Sequence, residues 1–219
     1  MKFIDQLKEK AKQNKKTIVL PETSDMRTIE AAGKVLAEGI ANIILVGDKE
    51  DIMSRAGDID LSGASFVDPK NYEKFDEYVD AFVEMRRKKG MTEARAKELL
   101  LTNPLYFGCM MVKQDDADGM VAGAINASAD VLRAALQTLK TAPGTRIVSA
   151  FFLVVVPDCQ YGANGTFVFA DAGLEQNPDP EKLANIAISS ADSFTLLVGK
   201  EPVVAMLSHS TKGSAKHAD

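Results

Sequence analysis

The stretch KTIVLPETSDMRTIEAAGKVLAEGIANIILVGD, from Lys16 to Asp48, decides the fold. Thr17 to Leu20 is a short apolar run closed by Pro21, the pattern of a buried strand. From Ser24 onward apolar residues return every three or four positions, so that Ile29, Ala32, Gly33 and Leu36 share one helical face. Gly39 ends that helix, and ANIILVGD supplies a second strand. Strand, helix, strand within about thirty residues is a βαβ unit. Its strands run parallel and its crossover is right-handed.

The same alternation continues. A helix follows Asp68-Pro69, with Phe75, Tyr78, Val79 and Phe82 as its apolar stripe. Arg86 extends that stripe, either as a snorkelling stem at the rim of the core or as a ligand group in a cleft. Thr92 begins a further helix that ends near Leu101, and the segments YFGCMMVKQ and ADGMVAGA read as short strands or close-packed segments. DVLRAALQTLK, from Asp130, is helical with Leu132, Ala135, Leu136 and Leu139 facing inward. TAPGT brings Pro and Gly together between two periodic segments and marks a linker. It divides the chain into a domain over residues 1–142 and the start of a second over 143–219.

Beyond it, RIVSAFFLVVVP and GTFVFADAG read as apolar strands of a buried sheet. Asp179 caps a helix whose first turn holds Pro180 and whose inner face carries Leu183, Ile186, Ala187 and Ser190. PVVAML reads as the last strand. The class is α/β, with mainly parallel sheets flanked by helices. In such sheets ligands gather at the carboxyl ends of strands. The loops after Leu20, Ala124 and Leu207 are therefore the places to look.

Composition narrows the function. A net charge of −5 argues against a general nucleic-acid binder but leaves room for local anion pockets. Two cysteines, Cys109 and Cys159, make no disulfide framework and suit a reducing, cytoplasmic setting. No apolar run approaches the roughly 20 residues of a membrane span, and the charged start MKFIDQLKEKAKQNKK is unlike a signal peptide.

Two segments carry anion chemistry. GAINASADVLR, Gly123 to Arg133, leaves a strand and enters a helix, offering Asn126, Ser128, helix N–H groups and Arg133 in the first turn. The competing reading is a plain helix cap at Ser128 or Asp130. SHSTKGSAK combines Ser208, Ser210, Thr211, Lys212, Gly213 and Ser214, which can hold phosphate, yet lacks the P-loop spacing. A solvated polar turn fits that segment equally well. His209, His217 and the two cysteines form no metal-ligand pattern. Cys109 lies in apolar FGCMM and reads as an inert buried thiol, and Asp115, Asp116 and Asp118 read as a solvated turn.

Taken in order, IVLPE, ANIILVG, FVEMRRKKGMT, DGMVAGAINASADVLRAALQ, SAFFLVVVPD, GTFVFADAG and VAMLSHSTKGSAKH become specific together. The set resembles the phosphate acetyltransferase family, which includes phosphate butyryltransferases, over essentially the whole chain. The resemblance implies two α/β domains with an active-site cleft between them, and a cytoplasmic homodimer. It implies reversible transfer of an acetyl group between CoA and phosphate by direct attack of the CoA thiolate in a ternary complex. CoA, acetyl-CoA, acetyl phosphate and phosphate are then substrates, with no bound cofactor, no metal, no nucleic acid and no membrane. By motif match Arg86 and Arg133 correspond to the family's substrate-binding arginines, although a one-residue shift would put Arg87 in place of Arg86. Asn126, Ser128 and the loop Ser210, Thr211, Lys212, Gly213 and Ser214 fall at substrate-binding positions.

Ala127 and Ala134 stand where hydroxyl and proline residues are commoner in the family, and His209 where an aromatic is common. Family members are also considerably longer. Their general base for the CoA thiol, an Asp, and a neighbouring Ser-Arg pair lie in the distal part. The resemblance therefore places no catalytic residue before Asp219, leaves the second domain incomplete, and implies little turnover by this chain as it stands. Two alternatives are a short non-catalytic paralogue binding CoA or acyl phosphate, and a phosphate butyryltransferase.

Overall fold

A computed structural model describes residues 3–207 and Ser214. The chain divides into two compact units that meet at Lys140 and Thr141.

The first unit begins with helix α1 (Phe3–Gln13) and strand β1 (Lys16–Leu20), followed by α2 (Met26–Glu38) and β2 (Ala41–Val46). Then come α3 (Lys49–Ala56), β3 (Ala64–Val67), α4 (Phe75–Arg86), α5 (Glu93–Thr102), α6 (Pro104–Lys113), β4 (Gly119–Met120) and α7 (Ser128–Thr138). The strands form one parallel sheet in the order β3-β2-β1-β4. In register, Val19 faces Ile44 and Leu20 faces Leu45 across β1 and β2.

Side chains alternate across a sheet, and the core divides accordingly. Val19, Ile44 and Val46 pack on one face with Tyr78, Val79 and Phe82 of α4, Leu100 of α5 and the buried residues of α6. Leu20, Ile43 and Leu45 pack on the other with Ile29 and Ala32 of α2 and Ile52 and Ala56 of α3. Because both faces are covered, the central strands read as unbroken apolar runs.

Helix ends follow local chemistry. Asp25 accepts the Arg27 N–H at the start of α2. Gly39 closes that helix in the left-handed region, with its N–H on the carbonyls of Val35 and Leu36. Thr92 caps α5 and Asp48 caps α3.

Three expectations for this unit are corrected. YFGCMMVKQ lies not in a strand but largely in α6, where every residue from Leu105 to Met111 is buried. A helix apolar on all sides has no stripe, so periodicity cannot separate it from a buried strand. The Asn103 cap and Pro104 at its first position were the available signals. The inner face of α7 is Val131, Ala134, Ala135, Thr138 and Leu139, while Leu136 is exposed. The acidic cluster is a solvated turn at Asp115 and Asp118, which are exposed, but not at Asp116, which accepts hydrogen bonds from Lys74, Tyr72 and Tyr78; Asp118 accepts from the Thr17 N–H and from Lys16. A carboxylate set among those donors is held down although burial opposes it, and the same burial pushes the Tyr78 hydroxyl up.

The second unit holds β5 (Phe151–Val155), β6 (Thr166–Ala170) and α8 (Pro180–Val198). Asp179 caps α8 by accepting the Lys182 N–H, with Pro180 at the first position. β5 and β6 pair antiparallel rather than lying deep in a parallel sheet, and Phe152 and Phe169 are exposed. The connection between them is too short for a parallel crossover, which takes roughly a dozen residues or more. Residues 202–207 form no strand, and Val203 is 96% exposed. An extended apolar segment becomes a strand only when a neighbour supplies hydrogen bonds, and none of the described strands pairs with it.

Gly165 closes the β5–β6 connection at φ +82, with a Cβ position only 2.0 Å from the Val156 carbonyl oxygen. The Gly165 carbonyl accepts the Val156 N–H at 2.8 Å, so neither side can retreat. Gly165→Ala is expected to destabilise the protein by about 2 kcal/mol, through backbone strain and a clash with main chain. Thermal unfolding checks this. An unchanged midpoint would show that the turn relaxes freely.

Candidate functional site

β1 leads to β2 on one side, while β4 joins β1 on the other. The strand order therefore reverses between β1 and β4, and α/β sheets place ligands at the carboxyl ends of such a pair. Here the chain fills the crevice itself. Glu22, just after β1 and only 2% exposed, reaches the loop that follows β4. Its Oε2 accepts the N–H groups of Gly123 and Ala124, both at 2.6 Å. Its Oε1 accepts the N–H groups of Ile125 (3.1 Å) and Asn126 (2.9 Å) and the Asn126 side-chain amide (2.7 Å). Arg27 adds a bond to the Ala124 carbonyl at 2.5 Å and pairs with Asp25.

Four successive N–H groups aimed at one carboxylate form an anion nest. The sequence reading offered these donors to a substrate; in the structure an internal carboxylate holds them. Burial alone would raise the Glu22 carboxyl, but the bonds from Asn126, Ala124 and Ile125 prevail and hold it at about 2, against an ordinary 4.5. A folded value below the unfolded one stabilises the protein above the unfolded value, and that stabilisation is lost as pH falls through the folded one. Glu22 is expected to contribute about 3 kcal/mol at neutral pH, disappearing between the two values. Acid unfolding of Glu22→Gln should be flatter over that range. An identical acid profile for the variant would count against this account.

Arg86 and Arg133 lie on different helices of the first unit, and the charges of both act on Tyr106. Arg86 ends α4, Tyr106 lies in α6, and Arg133 and Gln137 are one turn apart on α7. The Tyr106 hydroxyl donates to Gln137 Oε1 at 3.1 Å, and its ring meets Phe82 edge-on at 5.9 Å. Burial pushes that hydroxyl up, while the charges of Arg133 and Arg86 pull it down. Both guanidinium groups thus act on one buried phenol. Arg86 Nε is buried and has no hydrogen-bond partner among the described residues. Arg87 instead projects to the surface and pairs with Glu84 at 2.6 Å.

Other expected residues are placed differently. Arg133 lies in the second turn of α7, not the first, and donates to Asp130 at 2.6 Å. The helix starts at Ser128 behind Ala127, which makes no side-chain cap, so the capping reading of Ser128 and Asp130 does not hold. Ser128 is exposed at that end, and Asn126 is turned onto Glu22. Ser210, Thr211, Lys212 and Gly213, with His209 and His217, lie outside the described residues, whereas Ser214 is described and exposed. Sequence reasoning missed Glu22, Tyr106 and Gln137. Only the four-residue spacing of Arg133 and Gln137 signalled any of them.

Cys109 is buried, and burial pushes its thiol up, as an inert thiol requires. Among the described residues no group of three or more His, Cys, Asp or Glu could hold a metal ion, and no helix is long and apolar enough to cross a membrane. The second unit has a cavity of about 720 Å³ between β6, α8 and residues 202–207, lined by groups such as Phe167, Phe169, Ile186 and Phe194. Its lining is mainly apolar, with Lys200 and Asp171 among the few charged groups.

Residues 2–219 match the family described as phosphate acetyl/butaryl transferase. The chain belongs to that family. A phosphate acetyltransferase of Acetivibrio thermocellus is 55% identical over 216 residues, which cover 99% of this chain and 65% of the relative. Among solved structures, the EutD phosphotransacetylase of Staphylococcus aureus is 38% identical with a TM-score of 0.84, covering 99% of this chain and 63% of that one. A Streptococcus pyogenes phosphotransacetylase is 36% identical with a TM-score of 0.85, covering 99% and 64%. This member of the phosphate acetyl/butaryl transferase family thus spans somewhat less than two thirds of the length of these relatives.

Proposed function

We propose that this chain carries the anion-binding part of a site for reversible transfer of an acetyl group between CoA and phosphate. The observation that supports this most is the Nε of Arg86, unpartnered among the described residues, at a helix end; the charge of Arg86, like that of Arg133 on another helix, acts on Tyr106. The Nε is closed to solvent, so the planar fork of the terminal N–H groups is what suits a phosphate oxygen.

In the reaction, Arg86 and Arg133 hold the phosphoryl groups of CoA or acetyl phosphate, with Ser128 and the segment Ser210 to Ser214 adding hydroxyl and N–H donors. The CoA thiol gives up its proton to a general base, and the thiolate sulfur attacks the acetyl carbonyl carbon. A tetrahedral oxyanion forms, stabilised by fixed donors. The carbonyl re-forms as the bond to the phosphate oxygen breaks, releasing phosphate and acetyl-CoA. In this reading the base is an Asp in the part of the relatives that the 219 residues do not span. The cleft between units, a homodimer and a cytoplasmic location belong to the same proposal.

Calorimetric titration with CoA, paired with an assay of thioester formation from acetyl phosphate, tests it. The chain is expected to bind CoA while turning over little by itself. Absence of CoA binding at millimolar ligand removes the reading. Full turnover by a verified 219-residue chain would remove the distal base.

The family description also covers butyryl transfer, whereas three curated relatives at 55%, 52% and 44% identity are phosphate acetyltransferases. Acetyl is therefore the expected acyl group. A higher kcat/KM on butyryl phosphate than on acetyl phosphate would reverse that choice.

A further inference from the structure

We propose that Glu22 is a positioning residue: by occupying the nest at Gly123 to Asn126 it sets the start of α7 and so aims Arg133 at the bound anion. The inference rests on the proposed function above.

Three observations carry it. The carboxylate of Glu22 binds four consecutive main-chain N–H groups and one side-chain amide, so the whole turn, not a single residue, is fixed to it. The last of these groups, on Asn126, lies two residues before α7, whose Ala127 has no capping side chain. No side-chain cap therefore anchors the start of the helix, and the turn that leads into it is held from the end of β1. Arg133 follows in the second turn, while Ala134 and Thr138 are buried and hold the remainder of the helix. A shift at the N-terminal end would tilt the helix about those buried residues and move the guanidinium relative to Arg86. Displacements of about an ångström in positioned groups carry large functional costs.

The nest also accounts for a negatively charged residue beside an anion site. Four N–H dipoles and Arg27 surround the carboxylate, so its charge is used internally. The Nε of Arg86 is left without a partner among the described residues, while Arg133 pairs through one terminal nitrogen with Asp130 and keeps its other donors for the ligand.

Glu22→Gln tests the role with little change of shape. Each oxygen of Glu22 faces at least two N–H donors, so either orientation of the amide sets its NH2 against donors. CoA affinity of the 219-residue chain would be measured by calorimetry for the original sequence, Glu22→Gln, Arg133→Lys and the double variant. Glu22→Gln is expected to weaken binding about tenfold or more. In the Arg133→Lys background the same change should cost less than about threefold, because a flexible lysine does not depend on the placement of the helix.

If the original chain binds no CoA, the functional reading falls and this inference falls with it. If it binds and Glu22→Gln binds equally well, the inference alone is overturned. An equal loss in both backgrounds also overturns it, since Glu22 would then act on stability and not through Arg133. Should Glu22→Gln fail to fold, Glu22→Asp, which keeps the charge and retracts it by one methylene, takes its place in the cycle. Failure of both variants to fold would assign Glu22 a purely structural role.

Discussion

Phe107→Ala is expected to destabilise the protein by about 3–5 kcal/mol, the range for truncating a fully buried aromatic. Phe107 is 0% exposed, near the centre of α6. Its ring lies 5.7 Å from Tyr72 and 5.6 Å from Tyr78, centroid to centroid. Those two tyrosines donate to Asp116, which Lys74 also binds. The truncation would therefore leave a cavity and loosen a polar network that depends on ring packing for its geometry. A domain has only about 5–15 kcal/mol of stability in all. Denaturant unfolding should show a much lower midpoint at an unchanged slope. A loss below about 1 kcal/mol would mean that α6 collapses into the space, contrary to the close packing described.

The second large effect is on binding. Arg86→Ala should weaken CoA binding roughly 100-fold or more, because truncating one partner of a desolvated charge pair costs about 2–5 kcal/mol. Arg86→Lys should recover only part of that. Lysine restores the charge but not the planar fork, nor the Nε donor that is buried without a partner. Arg87→Ala is the matched control: its exposed pair with Glu84 contributes about 1 kcal/mol or less. Calorimetry on the three variants decides the matter. Equal losses for Arg86 and Arg87 would show that bulk positive charge, not a built site, attracts the ligand.

These predictions differ in how far the sequence foresees them. Arg86 and Arg133 were marked from the chain alone, Arg86 because it extends the stripe of α4 and both by family resemblance. What separates Arg86 from its neighbour in the coordinates is burial: a one-residue step on a helix turns a side chain by about 100°, which leaves Arg87 at the surface with Glu84 and the Arg86 Nε buried. Phe107 was legible as apolar but not as helical, because α6 shows no periodicity. Helix α3 and strand β3 went unread: α3 has eight residues, mostly charged or polar, and β3 has four. Such short segments carry too few repeats to show a period.

The sequence by itself determined the α/β class, the parallel pairing begun at Lys16 to Asp48, several helix caps and the family. These properties are local, or repeat at a short period, so each leaves its mark within a few residues. Tertiary structure alone decided that Glu22 meets Gly123 to Asn126, about a hundred residues on, and that the charges of two arginines from different helices both reach Tyr106. A carboxylate and four backbone N–H groups carry no pattern that links them along the chain. Parallel pairing of β1 with β4 brings them together, and burial then makes the bond between them strong enough to matter.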